Sequence, residues 1–373
     1  MIKRRLATTL MLLFIGGAAP AVSHEPAQHP PAQSSAIADA ATRFLDSLSP
    51  EQRATATRPF EDDAARVNWS NLPAPMAPRH GIALAELSPE QRRAAHGLLI
   101  AAMSSQGYGK TAAIMWIDDI LRVEEGEWLA SATLTPEQRA QREAILASRS
   151  SGNYWFVVFG DPGASRWGWA ISGHHLAANF TVVDGRVAFT PLFLGAAPQT
   201  VGSGPYAGWS VLQYEIDRGF AMVASLNEEQ RRQAVIADAV TNDLFTGRGR
   251  KDSLAAPIGL PASQLDARQQ AQLWGLIREF VGDATDEAAA AQMESIQADG
   301  LESLHLAWWG PTDDPAQRFM YRIHGPSILI EYARENDTRG TGGPGNHVHA
   351  IVRDPRNDYG EDWLGKHYTE HPH

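Results

Sequence analysis

Two blocks of β-strand pattern, separated by a long stretch of helical pattern, constrain the fold of this chain more than any other feature. Residues 151–200 and 301–360 contain short runs rich in β-branched and aromatic residues, and Asp184-Gly185 between two of these runs predicts a tight hairpin turn. Neither block is large enough to bury a core by itself. We therefore expect an α+β fold, in which both blocks form one antiparallel sheet and helices pack around it. The predicted strands are residues 153–159, 167–171, 177–183, 186–193, 305–309, 318–324 and 346–354.

Helical periodicity fills most of residues 40–150 and 208–298. Four helix starts in these segments share the pattern of a capping box, in which a Ser, Thr or Asn side chain and a Gln three residues later satisfy free backbone N–H groups. Three of them also have Pro at the first helical position. Their spacing is irregular, so we interpret them as reuse of a good helix start and not as the period of a solenoid. The starts are at Ser49, Ser88, Thr135 and Asn227.

The beginning of the chain predicts export from the cytoplasm. A basic start at residues 3–5 precedes an apolar run too short to span a bilayer, and small residues follow, which is the pattern of a cleavable signal peptide over residues 1–23. Cleavage after Ala21 and cleavage after Ser23 both fit. We expect a periplasmic or extracellular protein with no membrane anchor, since no later apolar run is long enough for a transmembrane helix. The absence of cysteine excludes a lipoprotein anchor and disulfides.

Composition divides the rest of the chain into three parts. The prolines and polar residues after the signal peptide predict a flexible leader over residues 24–41. Residues 42–365 are long enough for one large domain, and we assign them to a single α+β domain. Residues 366–373 are assigned to a C-terminal tail.

The charge of the chain limits its partners. The formal net charge of −11 becomes −14 when the three basic residues of the signal peptide are removed. Nucleic acids and anionic membranes bind proteins through basic patches, so both are excluded as expected partners. We expect a small-molecule substrate or ligand, and no pattern in the sequence fixes an oligomeric state.

His347 and His349 are the first candidates for a functional site. Alternate side chains of a strand point to the same face, so these two imidazoles would stand about 7 Å apart on one rigid surface. Neutral imidazole is the commonest metal ligand. We therefore expect the pair to begin a site for a divalent metal, either Zn²⁺, Fe²⁺ or Cu²⁺. The alternative is a surface strand with two incidental histidines.

Three further histidines are candidate metal ligands. His174 and His175 are adjacent, so on a regular strand they face opposite ways and only one can join the first pair. The other is then expected to make a structural hydrogen bond. His324 directly precedes a Gly-Pro turn, so it either adds a ligand or caps that turn.

Glu331 and Asp354 are the carboxylates expected to assist catalysis. Glu331 lies on the strand predicted to pair with the strand of His324, and four residues separate Asp354 from His349. A carboxylate at either position could move a proton or orient an imidazole. The alternative role of Asp354 is an ion pair with a neighbouring arginine or the start of a turn before the proline that follows it.

Several motifs in the two strand blocks together resemble a bacterial and fungal family described as domain of unknown function 3500. The resemblance covers essentially the whole chain after the signal peptide. It implies that the Gly-His-His-Leu and His-x-His segments belong to one shared site, and it assigns no reaction. The motifs are Trp167-Gly-Trp169, Gly173-His-His-Leu176, Thr190-Pro-Leu-Phe-Leu-Gly195, His347-Val-His349, Arg353-Asp-Pro355 and Asn357-Asp-Tyr-Gly360.

Two classes of function follow from these residues. The first is a metal-dependent enzyme, a hydrolase or an oxidative enzyme, in which the histidines hold the ion and a carboxylate moves the proton. The second is a non-catalytic protein that binds a metal or a small ligand through the same groups. A third interpretation has the histidines merely satisfying a polar core around the tryptophans.

Overall fold

A computed structural model of the protein describes residues 32–241, 243–249, 256–336 and 344–370. The predicted signal peptide and both of its cleavage points lie outside the described residues. The α-helices are α1 (Ala32–Asp46), α2 (Pro50–Ala56), α3 (Asp63–Arg66), α4 (Pro89–Ala102), α5 (Ser105–Ser131), α6 (Pro136–Ala147), α7 (Gln213–Ala224), α8 (Glu228–Ala234), α9 (Ala267–Val281), α10 (Asp286–Ala298) and α11 (Glu361–Glu370). No helix in these ranges is both long enough and apolar enough to cross a membrane.

The strands build one continuous sheet with the order β1-β3-β4-β5-β7-β13-β12-β11-β10-β8. Neighbours from β3 to β10 are antiparallel, and β7 of the first block pairs with β13 of the second. The predicted α+β fold, with an antiparallel sheet made from both blocks, is confirmed. The strands are β1 (Thr57–Arg58), β2 (Ile82–Ala83), β3 (Tyr154–Phe159), β4 (Arg166–Gly173), β5 (Leu176–Val183), β6 (Arg186–Ala188), β7 (Leu192–Ala196), β8 (Val235–Ala237), β9 (Leu260–Pro261), β10 (His305–Trp309), β11 (Met320–Gly325), β12 (Ile328–Asn336) and β13 (Pro344–Arg353).

The predicted strand 186–193 is two strands. β6 ends at Ala188 and β7 begins at Leu192, and both pair with β5. Pro191 stands between them and has no N–H to donate to a ladder, so pairing is interrupted there. The break lets β7 leave the hairpin and pair with β13 on its other side.

The sheet has two differently covered faces. Side chains such as Trp169, Tyr321 and Val348 pack under α1, α4, α5, α7 and α9, and this is the helical face. The opposite face, which we call the loop face, is covered by α3, α11 and residues 238–241 and 243–249. Both faces bury apolar side chains, which explains why most strands are hydrophobic on both sides.

The chain contains two copies of one structural arrangement. The first copy runs α1, α2, β1, β2, α4, α5, β3, β4, β5, and the second runs α7, α8, β8, β9, α9, α10, β10, β11, β12. Corresponding strands make corresponding pairs: β1 and β8 run parallel to β3 and β10, while β2 and β9 run antiparallel to the same two strands. The copies meet at β7 and β13, so the sheet has the same order from either edge.

A side-chain network ties two helix starts together in the first copy. Gln52 and Gln91 close the capping boxes of α2 and α4, and their side-chain amides exchange hydrogen bonds of 2.7 and 3.2 Å. Gln52 also donates to the Glu86 carbonyl over 3.0 Å, and Gln91 donates to the Ser47 carbonyl over 2.9 Å. The two helix starts therefore hold each other in place.

The second copy repeats this network. Gln230 and Gln269 exchange hydrogen bonds of 2.9 and 3.0 Å, and they donate to the Gln264 and Ser225 carbonyls over 2.8 and 2.7 Å. Each of these four residues lies 178 positions after its counterpart. The helix starts at Ser49 and Ser88 therefore recur in the second copy, as one internal duplication and not as the period of a solenoid. The matched starts are Ser49 with Asn227 and Ser88 with Asp266.

An extra helix in the first copy conceals this repeat in the sequence. Trp169 stacks on Phe180 with ring centroids 4.5 Å apart, and Tyr321 stacks on Tyr332 at 5.4 Å. These pairs are related by 152 positions, not 178. The sequence offset between corresponding residues falls from 178 to 152 because α5 has 27 residues whereas α10 has 13, and because α6 has no counterpart in the second copy.

The predicted flexible leader 24–41 ends too late. Its last ten residues belong to α1, which begins at Ala32 and buries Ile37 and Ala40 against the core. The alanine-rich composition of this part favours a helix, whereas the prolines that suggested flexibility all lie before it. The residues before Ala32 lie outside the described part of the chain.

The predicted C-terminal tail 366–373 begins too early. α11 continues to Glu370, and His367 in its last turn is buried. The Nδ1 atom of His367 lies 3.0 Å from a carboxylate oxygen of Asp184 in the β5–β6 turn. This contact holds the final helix against the sheet.

We expect the glutamine network to contribute more stability in the second copy than in the first. Gln269 is 3% exposed whereas Gln91 is half-buried, so truncation of Gln269 leaves its carbonyl and amide partners without access to water. Gln269→Ala should lower the free energy of unfolding by about 1–3 kcal/mol. Gln91→Ala is the matched control and should cost less. Equal losses of unfolding free energy in the two variants, measured by urea denaturation, would contradict this prediction.

Candidate metal centre

His347 and His349 point from one face of β13, as the alternation predicted. Val348 and Ala350 pack in the core of the helical face, so the two imidazoles project toward the loop face. Both histidine side chains are buried, and their Nε2 atoms are 2.9 Å apart. The strand therefore presents two ring nitrogens to one small volume.

His175 joins this pair from the turn between β4 and β5. Its backbone has φ of +60°, a left-handed conformation that is uncommon outside glycine and is enriched at functional sites. The turn is held by hydrogen bonds from His175 N to the Asn71 carbonyl (2.9 Å) and from Gly195 N to the His175 carbonyl (2.7 Å). A Cβ atom at Gly195 would lie 2.9 Å from the His349 ring, so glycine permits this close approach.

The Nε2 atoms of the three histidines converge. His347 Nε2 lies 3.0 Å from His175 Nε2 and 2.9 Å from His349 Nε2. Ligand nitrogens of a tetrahedral metal site lie about 3.3 Å apart, given metal–nitrogen bonds of about 2.0–2.1 Å. The three rings are therefore close to the spacing that one shared ion requires, and a small outward movement would complete it.

Burial sets the protonation of two of these rings. The pKa of His175 and the pKa of His347 are lowered well below the usual value, first by burial and then by the neighbouring imidazoles. Both rings are therefore neutral at physiological pH. Neutral imidazole is the form that binds metals.

Two carboxylates orient His349. Its Nδ1 atom lies 3.5 Å from Glu335 Oε1 and 3.6 Å from Asp243 Oδ1, within ion-pair distance. Burial lowers the pKa of His349, but these two carboxylates raise it more strongly, to about 9. The ring is therefore protonated at neutral pH, and a metal would have to displace its Nε2 proton. The carboxylates would then hold the remaining proton on Nδ1, which directs Nε2 toward the other imidazoles. Carboxylate partners have this role behind many metal-binding histidines.

His174 makes the structural hydrogen bond expected of the second residue in the His-His pair. Its Nδ1 atom lies 2.7 Å from a carboxylate oxygen of the buried Asp118 on α5, and its ring contacts the ring of His175 at 3.6 Å between centroids. The Tyr154 hydroxyl donates to the His174 carbonyl over 3.0 Å. Burial raises the pKa of Asp118 to about 7, against the opposing effect of Arg149.

A cavity of about 400 Å³ lies against the histidines. One wall is the loop that follows α3, with Leu72 and Met76, both of which are partly exposed to solvent. Another wall is α6, which contributes Gln141 and Arg142. This volume falls in the range of small-molecule sites, and it gives a small compound access to the three ring nitrogens.

Glu331 lies on the correct strand and face but in the wrong position for the site. Ala333 is the Cα partner of His349, so the residues two positions away on either side, Glu331 and Glu335, are its diagonal neighbours. Glu331 is fully buried and paired with Arg322, which holds it away from the histidines. Glu335 occupies the place expected of Glu331.

Asp354 and His324 also lie away from the histidine cluster. Asp354 follows the far end of β13, where its carboxylate accepts hydrogen bonds from the backbone N–H groups of Arg356 and Asn357, both 3.1 Å long. This is the turn role named as its alternative. His324 is on β11 opposite His305, and burial lowers its pKa to about 4. The predicted shared site therefore retains His175, His347 and His349, with His174 beside them.

Sequence patterns gave no indication of the helical contribution to this site. Asp118 lies in a long helix whose position relative to the β4–β5 turn depends on the packing of the whole helical layer. Arg149 reaches Glu125 through two hydrogen bonds of 3.0 and 3.1 Å and lies 3.7 Å from Asp118.

We expect Asp118 to stabilise the fold as well as the site. Asp118→Ala would leave His174, Tyr154 and Arg149 without a shared buried partner, so the free energy of unfolding should fall by about 3 kcal/mol or more. Asp119→Ala is the matched control, because this neighbour is exposed and should cost about 1 kcal/mol or less. Similar losses in denaturant unfolding of the two variants would contradict the assignment.

Comparison with known proteins agrees with the resemblance seen in the motifs. A family model described as "Protein of unknown function (DUF3500)" matches residues 31–361, which include both copies of the repeat and all four histidines of the site. Neither the curated proteins nor the solved structures contain a significant match to the chain. On the strength of the family match, the protein is a member of the DUF3500 family.

Proposed function

We propose that this protein is a metal-dependent enzyme that acts on a small molecule, with His175, His347 and His349 as the metal ligands. The observation that carries the proposal is the convergence of three Nε2 atoms at the wall of a cavity, where that of His347 lies 3.0 and 2.9 Å from those of His175 and His349. Buried histidines with a purely structural role usually find carbonyl, hydroxyl or carboxylate partners. Here Nε2 atoms face one another, which is favourable when a cation lies between them.

The number of ligands favours catalysis over a structural role. Structural zinc sites are closed by four protein ligands, whereas catalytic sites keep three and leave a position open. Three histidines beside a cavity correspond to the second kind. A metal in such a site polarises a bound carbonyl or lowers the pKa of bound water toward 7. The same ligands accept Zn²⁺, Fe²⁺ or Cu²⁺, and the identity of the ion separates hydrolytic from oxidative chemistry.

His174 takes the proton-transfer role that the sequence had suggested for Glu331 and Asp354. It lines the cavity next to the ligand His175, and Asp118 holds its Nδ1 atom. An Asp–His pair of this kind fixes the tautomer of the imidazole and leaves Nε2 to exchange a proton with a bound molecule. The described residues offer Nε2 of His174 no hydrogen bond, which keeps it available.

The proposal places this activity in the periplasm or outside the cell, on a small substrate. Support comes from the basic, apolar and small-residue order of residues 1–23. The net charge after cleavage is strongly negative, which disfavours nucleic acids as partners.

A second candidate is a non-catalytic metal-binding protein. It is favoured by a second group of potential ligands, in which carboxylate oxygens of Asp243 and Glu335 lie close to the Nδ1 atom of His349. An ion held by these groups would lie on the Nδ1 side of the His349 ring, away from the residues that line the cavity, and would have no open position for a substrate. The two candidates differ in whether the bound metal keeps an exchangeable water.

Metal content is the first test of the proposed function. Protein exported to the periplasm and lacking residues 371–373 should contain close to one equivalent of metal by elemental mass spectrometry. The double variant His347→Ala/His349→Ala should contain almost none. The proton relaxation rate of bulk water, measured with the Mn²⁺- or Cu²⁺-loaded protein, then reports whether the bound ion keeps an exchangeable water. A relaxation rate that shows no such water would favour the non-catalytic candidate.

The matched control is His305→Ala/His324→Ala, which removes two histidines of the second copy and should leave the metal content unchanged. Equal metal loss in both double variants would indicate a general effect on folding. Wild-type protein that holds no metal and takes up none of Zn²⁺, Fe²⁺ or Cu²⁺ would contradict both metal-binding candidates.

Glu335→Gln should weaken the metal site without removing a ligand. The substitution replaces the carboxylate behind His349 by an amide of equal size, and loss of such an orienting group typically costs about 10- to 100-fold in metal affinity. Asp243→Asn should cost less, since Asp243 is the more exposed of the two carboxylates. Competition with a chromophoric chelator measures both affinities. Unchanged affinity in Glu335→Gln would show that this carboxylate does not support the site.

A further inference from the structure

The second copy of the repeat forms a cavity at the place that corresponds to the histidine cavity. Gly325 pairs with Ile328 across the β11–β12 turn, as Gly173 pairs with Leu176 across the β4–β5 turn. Ser327 is therefore the counterpart of His175. A cavity of about 450 Å³ opens beside Ser327, at the opposite end of the sheet from the histidines.

A helix holds the turn in both copies. In the first copy Asp118 of α5 binds the imidazole of His174, and in the second copy Gln292 of α10 donates to the Ser327 carbonyl over 2.5 Å. Gln292 also donates to a carboxylate oxygen of Asp354 over 3.2 Å. In both copies a helix therefore supports the turn, but the side chains that the turn presents to its cavity differ between the copies.

The charges around this second cavity are matched within the protein. Arg356 makes two hydrogen bonds of 2.7 and 2.9 Å to Asp299, and Lys366 lies 2.8 Å from Asp362. Asp354 accepts from two backbone N–H groups and from the Gln292 amide. An ionic ligand would therefore have to compete with existing ion pairs, whereas a neutral ligand would not.

The lining combines an apolar wall with hydrogen-bonding groups. Val187, Ala288 and Trp363 supply apolar surface, and the guanidinium of Arg186 covers the Trp363 ring at 4.6 Å from its centroid. Carboxylate, amide and hydroxyl groups surround this wall. Ligands with an apolar ring face and several hydroxyl groups match such a lining, because hydroxyls both donate and accept.

We propose that this second cavity binds a neutral polyhydroxylated compound of the size of a mono- or disaccharide. Its hydroxyl groups would bond to Asp354, Gln292 and Ser295, and its C–H face would pack against Trp363. The carboxylate of Asp354, which sequence patterns suggested for the histidine site, then serves this second site. The proposal does not depend on metal binding in the first copy.

The test is isothermal titration of the full mature chain with neutral hexoses, pentoses and their disaccharides, beside glucosamine and glucuronate as charged analogues. At least one neutral sugar should bind. Trp363→Ala and Asp354→Asn should each weaken its binding at least tenfold. They lie on different elements, so a folding defect in one variant does not remove the test.

The histidine cavity provides the control. His347→Ala/His349→Ala should bind the sugar within twofold of the wild type. The inference is overturned if no neutral sugar binds at millimolar concentration, if a charged analogue binds more tightly than every neutral one, or if the histidine variant alone loses binding. It is also overturned if both Trp363→Ala and Asp354→Asn bind as tightly as the wild type.

Discussion

The antiparallel pairing of β7 with β13 is the contact on which both the sheet and the histidine cluster depend. It joins the two copies of the repeat into one sheet, and its register places His349 opposite Gly195. Gly195 in turn donates to the carbonyl of His175, so His349 and His175, which are 174 positions apart in sequence, meet across this one glycine. A side chain at Gly195 would separate β7 from β13 at the position where the histidines approach most closely.

Burial of four histidines is costly unless their polar atoms are satisfied, and the structure satisfies them unequally. His174 has Asp118, and His349 has Glu335 and Asp243. The remaining Nε2 atoms of the cluster face one another. This arrangement distinguishes the cluster from an ordinary polar core, because the Nε2 atoms of His175, His347 and His349 meet without a carbonyl, hydroxyl or carboxylate partner among the described residues.

The two copies show how one scaffold accommodates different sites. Each copy supports its central hairpin turn from a helix of the helical layer, and each opens a cavity beside that turn. The first copy lines its cavity with imidazoles and gains α6 as an additional wall. The second copy has Ser327 at the corresponding position and lines its cavity with paired charges and amides. The internal repeat therefore preserves the frame and not the chemistry.

The sequence by itself determined most of the helices and long strands, the α+β class and the strand that carries His347 and His349, because these depend on local periodicity and capping. The period-2 pattern also fixed that both imidazoles share a face. Only the tertiary structure decided that His175 joins them, that Glu335 and not Glu331 stands behind His349, and that Asp354 belongs to a different cavity. Strand register and helix packing set these contacts, and only a shift of four residues along β12 would exchange one glutamate for the other. The repeat was equally hidden, since an inserted helix changes the offset between copies while leaving every corresponding contact in place.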